Sequence, residues 1–195
     1  MWPEPVPWQA LAFVAAVCTQ LHAYGRALPP LRALLHQFPQ AAPVRQLSAA
    51  LLFHLRKFDA CKAALQALQA DFPHRVAGMD LLSNVLYVLD DAPALAALAE
   101  WVWRADPTCF EAAVVMGNFH SCSGQHDSAV AAFQRGLRMH PGHATLWVLL
   151  GHEFIELKDM DTAVYCYRGA VQADARDYRY VRAVATPLCL RWSST

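Results

Sequence analysis

The chain has 195 residues, 56% of them hydrophobic and 16% charged, and its 16 basic and 16 acidic residues balance to zero net charge. That apolar share can bury a core, which excludes a disordered tail, and the balanced charge lacks the basic footprint of a nucleic-acid binder. The cysteines Cys18, Cys61, Cys109, Cys122, Cys166 and Cys189 form no Cys-x-x-Cys pair. They read as reduced thiols, buried as small hydrophobes in an intracellular protein.

Taken in order, the chain opens with an apolar stretch from Trp8 to Leu21. The residues before it include Glu4 and no Lys or Arg, which argues against a secretory signal, and the stretch is too short to span a bilayer. A longer ruler then becomes visible. Pro39, Pro73, Pro107 and Pro141 follow one another at intervals of 34 (73 − 39, 107 − 73, 141 − 107). They frame segments at 8–41, 42–75, 76–109, 110–143 and 144–177, with Ala175 in the proline's place in the last. Small residues keep the same register: Ala15, Ala49, Ser83, Gly117 and Gly151 at one site, and Ala27, Cys61, Ala129 and Ala163 at a second.

Within each segment two helices are expected, joined by a short turn: Tyr24-Gly25-Arg26, Arg56-Lys57-Phe58-Asp59, Ser123-Gly124-Gln125-His126 and Lys158-Asp159-Met160-Asp161. Glycine in such a turn can supply a left-handed helix stop. The third segment is irregular, with Leu95 at the small-residue site and Asp90-Asp91 followed by Pro93 at the turn, and helices are expected at about 77–89 and 93–105. The last two segments match best. Met116-Gly117 aligns with Leu150-Gly151, Ala129 with Ala163 and Phe133 with Tyr167, and the fifth segment adds Trp147. A 34-residue period with Trp, Leu-Gly, Ala, an aromatic and Pro at fixed places is the tetratricopeptide signature. Gly117, Gly151, Ala129 and Ala163 let the paired helices approach, Phe133 and Tyr167 fill the space left, and Pro141 ends a helix. The expected fold is an all-α right-handed superhelix of five helix pairs over 8–177.

From Tyr178 the pattern fails, because Pro187 falls where a first helix should still run and no room remains for a second. Residues 178–195 are therefore expected to be an irregular or truncated tail, leaving the array without the polar capping repeat that solenoids ordinarily carry.

Three stretches say more than the repeat. They are 74–88, 114–142 and 146–179, marked by Met79-Asp80, Ser83-Asn84, Leu86-Tyr87, Gly117-Asn118, Gln125-His126, Phe133-Gln134-Arg135, Gly151-His152-Glu153 and Asp177-Tyr178-Arg179. On these residues the chain closely resembles the family of subunit 8 of the anaphase-promoting complex, the cell division cycle protein twenty-three family. The resemblance is dense over about 74–179 and only architectural over 8–73. It implies a non-catalytic scaffold subunit of a nuclear ubiquitin ligase that acts in mitosis, held among other subunits and offering grooves to coactivator segments. Members are longer and dimerise through early repeats. Those repeats have no counterpart in this frame, so the resemblance leaves this chain's own oligomeric state open.

A tetratricopeptide array binds on the surface lined by its first helices. The inward positions of the third to fifth repeats are Asp80, Asn84, Tyr87, Glu111, Asn118, Ser121, Thr145, His152 and Glu156. Asn84, Asn118 and His152 recur at one place (118 − 84 and 152 − 118 are both 34), a ladder able to hold an extended peptide backbone. The bland alternative is a row of ordinary solvated side chains. Asp80, Glu111 and Glu156 make this surface acidic, which disfavours a clamp for a C-terminal carboxylate and suits a peptide bearing Arg. The coactivator segment that the resemblance implies contains arginine.

The other chemistries fail on spacing. Glu156 stands where a zinc-protease helix starting at His152-Glu153 would need its second His. His140 and His143 flank Pro141-Gly142 with no Cys or acidic partner nearby in sequence, so no metal is expected. Ser121, Cys122 and Ser123 lack the strand–turn–helix setting of a nucleophile elbow, and no segment is free to be a catalytic domain. No cofactor, nucleic-acid partner or membrane is expected. On the repeats alone, a generic adaptor such as a chaperone or transport cofactor stays open as the alternative.

Overall fold

The computed structural model describes residues 7–174. Among them are ten α-helices and no strand: α1 Trp8–Gln20, α2 Tyr24–Gln37, α3 Ala42–His54, α4 Phe58–Asp71, α5 Met79–Val88, α6 Ala92–Ala105, α7 Phe110–Cys122, α8 His126–Met139, α9 Ala144–Glu156 and α10 Met160–Ala173. The second helices start at Tyr24, Phe58, Ala92, His126 and Met160, each 34 residues after the last (58 − 24, 92 − 58, 126 − 92, 160 − 126). This is the all-α tetratricopeptide fold. The expected tail at 178–195 lies outside the described residues. No described helix is long and apolar enough to cross a membrane.

Local chemistry explains the punctuation. Phe38, Phe72, Asp106 and His140 close α2, α4, α6 and α8 with φ between −132° and −158°. Each precedes one of the ruler's prolines, whose ring disfavours helix at the residue before it. The side chains of Asp91 and Asp159 accept from the backbone N–H of Ala94 and Thr162 and so cap α6 and α10.

The turn inside each repeat has a left-handed residue at its centre: His22, Arg56, Asp90, Gly124 and Lys158, again 34 apart, with φ between 55° and 71°. Glycine occupies this strained position only once. The first turn is accordingly not Tyr24-Gly25-Arg26. His22 makes the stop, and Gly25 lies inside α2. The third repeat starts late. Its first helix, expected from 77, begins at Met79 because Gly78 holds φ +92°, outside the helical region.

The chain divides into two compact units that part between Val85 and Leu86. The first packs Leu11, Ala15, Ala27, Leu31, Leu34 and Leu51 into its core. The second packs Val114, Ala129, Phe133, Leu137, Leu146, Leu150 and Cys166, with Phe110, Trp147 and Phe154 against them. In this second unit the glycines prove to be clearance for rings. A Cβ on Gly117 would stand 2.2 Å from Cε1 of Phe133, and one on Gly151 would stand 2.8 Å from Cε1 of Tyr167. Ala129 and Ala163 are fully buried at the neighbouring small-residue site.

Of the described cysteines, Cys61 and Cys166 are buried, while Cys18, Cys109 and Cys122 are half-buried. Burial pushes the Cys61 and Cys166 thiols up to about 11.

Candidate functional site

In the second unit one polar network runs through three repeats. Tyr87 lies near the end of α5, Ser121 near the end of α7, His126 opens α8, and Glu153 sits in α9. Ser121 Oγ donates to Glu153 Oε1 at 2.7 Å, and the Tyr87 and Ser121 hydroxyls lie 3.1 Å apart. A serine hydroxyl has one proton, and here the carboxylate takes it, so Tyr87 is the donor to Ser121. The other carboxylate oxygen, Glu153 Oε2, accepts from His126 Nδ1 at 2.9 Å. Glu153 is only 3% exposed. Burying a carboxylate is costly unless its oxygens are satisfied, and both of these are. The network therefore ties the last turn of α5 to α7, α8 and α9 and holds those helices in one register.

Glu153 was not among the inward positions read from the sequence. Its places one and two repeats earlier are Phe119 and Val85 (153 − 34 = 119, 119 − 34 = 85). A carboxylate at a site that is otherwise apolar was the available signal.

The residues of the asparagine–histidine ladder differ in setting. Asn84 is half-buried, His152 is exposed, and Asn118 is 1% exposed, a buried polar group. Asn84, Asn118 and Asp80 all hold interactions within the chain. His152 Nδ1 lies 2.7 Å from the Tyr167 hydroxyl. Burial pushes the Tyr167 phenol well above its ordinary range, so it stays protonated and donates. Loss of solvation against Tyr167 lowers the His152 imidazole below its ordinary value, outweighing the upward pull of Glu153 and Glu156.

Glu111 and Thr145 are half-buried near the starts of α7 and α9, and Glu156 is exposed at the end of α9. Asp80 and Asn84 belong to the first unit, Tyr87 and the rest to the second. In the second unit the structure therefore brings together Tyr87 and Ser121 through the Glu153 network, and His152 with Tyr167. It does not bond Glu111, Thr145 or Glu156 into that network. Charge sorts by helix: α5, α7 and α9 carry Asp80, Glu111, Glu153 and Glu156 and no Lys or Arg. Among the described residues no group of three or more His, Cys, Asp or Glu is placed to hold a metal ion.

Trp147, at the start of the fifth repeat, is held by two contacts. Trp147 Nε1 donates to the Pro141 carbonyl at 2.9 Å, and its ring lies over Gly169, where a Cβ would come within 2.9 Å.

Comparison with known proteins follows the same lines. A tetratricopeptide repeat family model matches residues 144–177. Anaphase-promoting complex subunit 8 of Arabidopsis thaliana is 33% identical over 152 residues, 78% of this chain and 26% of that protein. The subunit 8 of Dictyostelium discoideum is 34% identical over 126 residues, 65% of this chain and 21% of that protein. The cell division cycle protein 23 homolog of Caenorhabditis elegans is 30% identical over 161 residues, 82% of this chain and 24% of that protein. The chain thus spans about a quarter of the length of the curated relatives it matches. Among solved structures, a thermophilic tetratricopeptide protein of Thermus thermophilus superposes with a TM-score of 0.77 at 17% identity, over 93% of this chain and 99% of that one, a likeness of fold alone.

Proposed function

The chain belongs to the family of anaphase-promoting complex subunit 8, and from that premise we propose that it is a non-catalytic tetratricopeptide scaffold of this ubiquitin ligase. In this reading it works in the nucleus, holds neighbouring subunits of the complex, and takes an extended, arginine-bearing coactivator segment along its first helices. The observation that carries the peptide reading is the charge sorting. The first helices of the last three repeats present carboxylates and no cation, so an arginine finds acceptors there and a C-terminal carboxylate does not. The Glu153 network supports it by holding α7 and α9 in fixed register, which lowers the cost of ordering a groove on binding.

Exposed Glu156 and half-buried Glu111 are the guanidinium partners in this reading, with His152 beside them. Asp80 and Asn84 stand at the corresponding first-helix places of the third repeat. Because Asn118 is buried, Glu156 is the sharper probe of the groove. The test is titration of an arginine-containing peptide against wild type, Glu111→Lys and Glu156→Lys, at low and high salt. A solvent-exposed pair contributes under about 1 kcal/mol, whereas reversing a desolvated one costs about 2–5 kcal/mol. Weaker binding in both variants, with the difference shrinking at high salt, supports the groove. Unchanged affinity in both removes the first helices as the arginine site.

A further inference from the structure

Trp147 and Tyr165 form a second surface, away from the first-helix carboxylates. Their rings meet edge to face at 6.1 Å. Tyr165 is 67% exposed, more than a packing role accounts for. On one side of the pair lies a hollow of about 490 Å³ bordered by Arg168 and Gln172, and on the other a hollow of about 330 Å³ bordered by Arg138 and Gln134. The two aromatic rings line both hollows, and no carboxylate lines either.

Trp147 is the signature tryptophan of the repeat, but the repeat does not require the pair. One repeat earlier the same places hold Ala113 and Ala131 (147 − 34, 165 − 34), and the helix pair forms there without the rings. Nor do its second-helix places, those of Tyr165, Arg168 and Gln172, lie on the face where repeats stack. In α8 the equivalent places, Ala131, Gln134 and Arg138, stay exposed although Gly136 and Leu137 of the same helix pack against Leu146 of α9. The platform is also held in advance. The bond from Trp147 Nε1 to the Pro141 carbonyl and the seat on Gly169 fix the indole, so little ordering remains to be done on binding. A fixed indole, an exposed phenol and flanking guanidinium groups are the residue types that dominate binding hot spots.

We infer that the Trp147–Tyr165 platform is a docking surface for a partner-protein segment in which an aromatic or aliphatic side chain is flanked by carboxylates. The apolar side chain seats against the two rings, and the carboxylates pair with Arg138 and Arg168. This charge preference is the reverse of that of the first helices, so the two surfaces select different segments.

The test is fluorescence-anisotropy titration of the full chain with a labelled Glu-Asp-Leu-Phe-Glu-Asp peptide and its counterpart Lys-Lys-Leu-Phe-Lys-Lys. The acidic peptide is expected to bind wild type and to weaken with salt, while the basic one does not bind. Tyr165→Ala and the double change Arg138→Glu with Arg168→Glu should each weaken the acidic peptide by about tenfold or more. Glu156→Lys should leave it unchanged, which separates this surface from the first-helix groove. All four places are exposed, and unaltered thermal melts would show that the variants are folded. The inference is overturned if the acidic peptide does not bind wild type, if it binds the variants equally, or if the basic peptide binds as well. It is also overturned if the wild-type chain self-associates and Tyr165→Ala abolishes that, since the occupant would then be a second copy.

Discussion

In the first two repeats the helix crossing holds Ala15 with Leu31 and Ala49 with Leu65, whereas in the last two it holds Gly117 with Phe133 and Gly151 with Tyr167. The places are equivalent (15, 49, 117 and 151 on the first helix; 31, 65, 133 and 167 on the second), and all these side chains are buried. Volume has moved across the crossing: what the first helix gives up, the second takes. The third repeat makes a further trade. It holds Ser83 and only Ala99 at these places, but Leu95, one turn before Ala99, is fully buried where the other repeats have a small residue. A close-packed interior tolerates redistribution of volume far better than a change in its total.

The largest test adds volume with no compensation. Ala129 and Ala163 are fully buried, so Ala129→Trp or Ala163→Trp should each destabilise the second unit by about 4 kcal/mol or more in denaturant unfolding. Wild-type stability in both would break the shared crossing as an explanation.

A subtler change sharpens it. Gly117→Ala places its Cβ inside the Phe133 ring and should cost about 1–3 kcal/mol. Adding Phe133→Leu converts the fourth repeat to the arrangement of the first two. The double variant should then be more stable than the sum of the single changes allows, by about 1 kcal/mol in a double-mutant cycle. Strict additivity would mean that the two sites do not trade volume.

Acid and alkali probe the two regions differently. His143 is lowered chiefly by burial, then by His140, and His152 by loss of solvation. Their neutral forms are favoured in the folded chain, so their contribution is present above the ordinary histidine value of about 6.5 and is lost as pH falls below it. The melting temperature should drop from neutrality towards about pH 5, and less steeply in His143→Gln and His152→Gln. In alkali, thiols raised from 9.0 to about 11 make Cys61 in the first unit and Cys166 in the second lose stability through that interval. A flat melting temperature across the acid range would contradict the loss of solvation at the two imidazoles.

The smallest effects lie in the turns. Gly124→Ala meets no atom within 4 Å but must hold φ +71°, and should cost about 1 kcal/mol. Lys158→Gly, at the same place one repeat on, should gain about 0.5–1 kcal/mol. Equal signs for the two changes would refute a common left-handed turn.

The repeat was legible in the sequence because its marks are steric. Small residues, prolines and aromatics recur at fixed intervals, and Gly117 with Phe133 is recognisable without coordinates. The turn centres were less legible. His22, Arg56, Asp90 and Lys158 take a conformation that favours glycine, and Gly25, one of the glycines the eye falls on, lies inside a helix. Polar positions were the hardest to place. Helical spacing puts Asn118 and His152 on one face, yet one is buried and the other exposed, because exposure depends on the neighbouring helix as well as on register. Glu153 was missed for the same reason: its partners Ser121 and His126 come from two other helices.

Affinity purification of the tagged full chain from its native cells, followed by quantitative mass spectrometry, tests the scaffold reading most directly. Ala129→Trp serves as the misfolded control. The family assignment predicts that subunits of the anaphase-promoting complex are enriched with wild type and lost with the control. A folded wild-type chain that recovers none of them would contradict a scaffold role in that ligase.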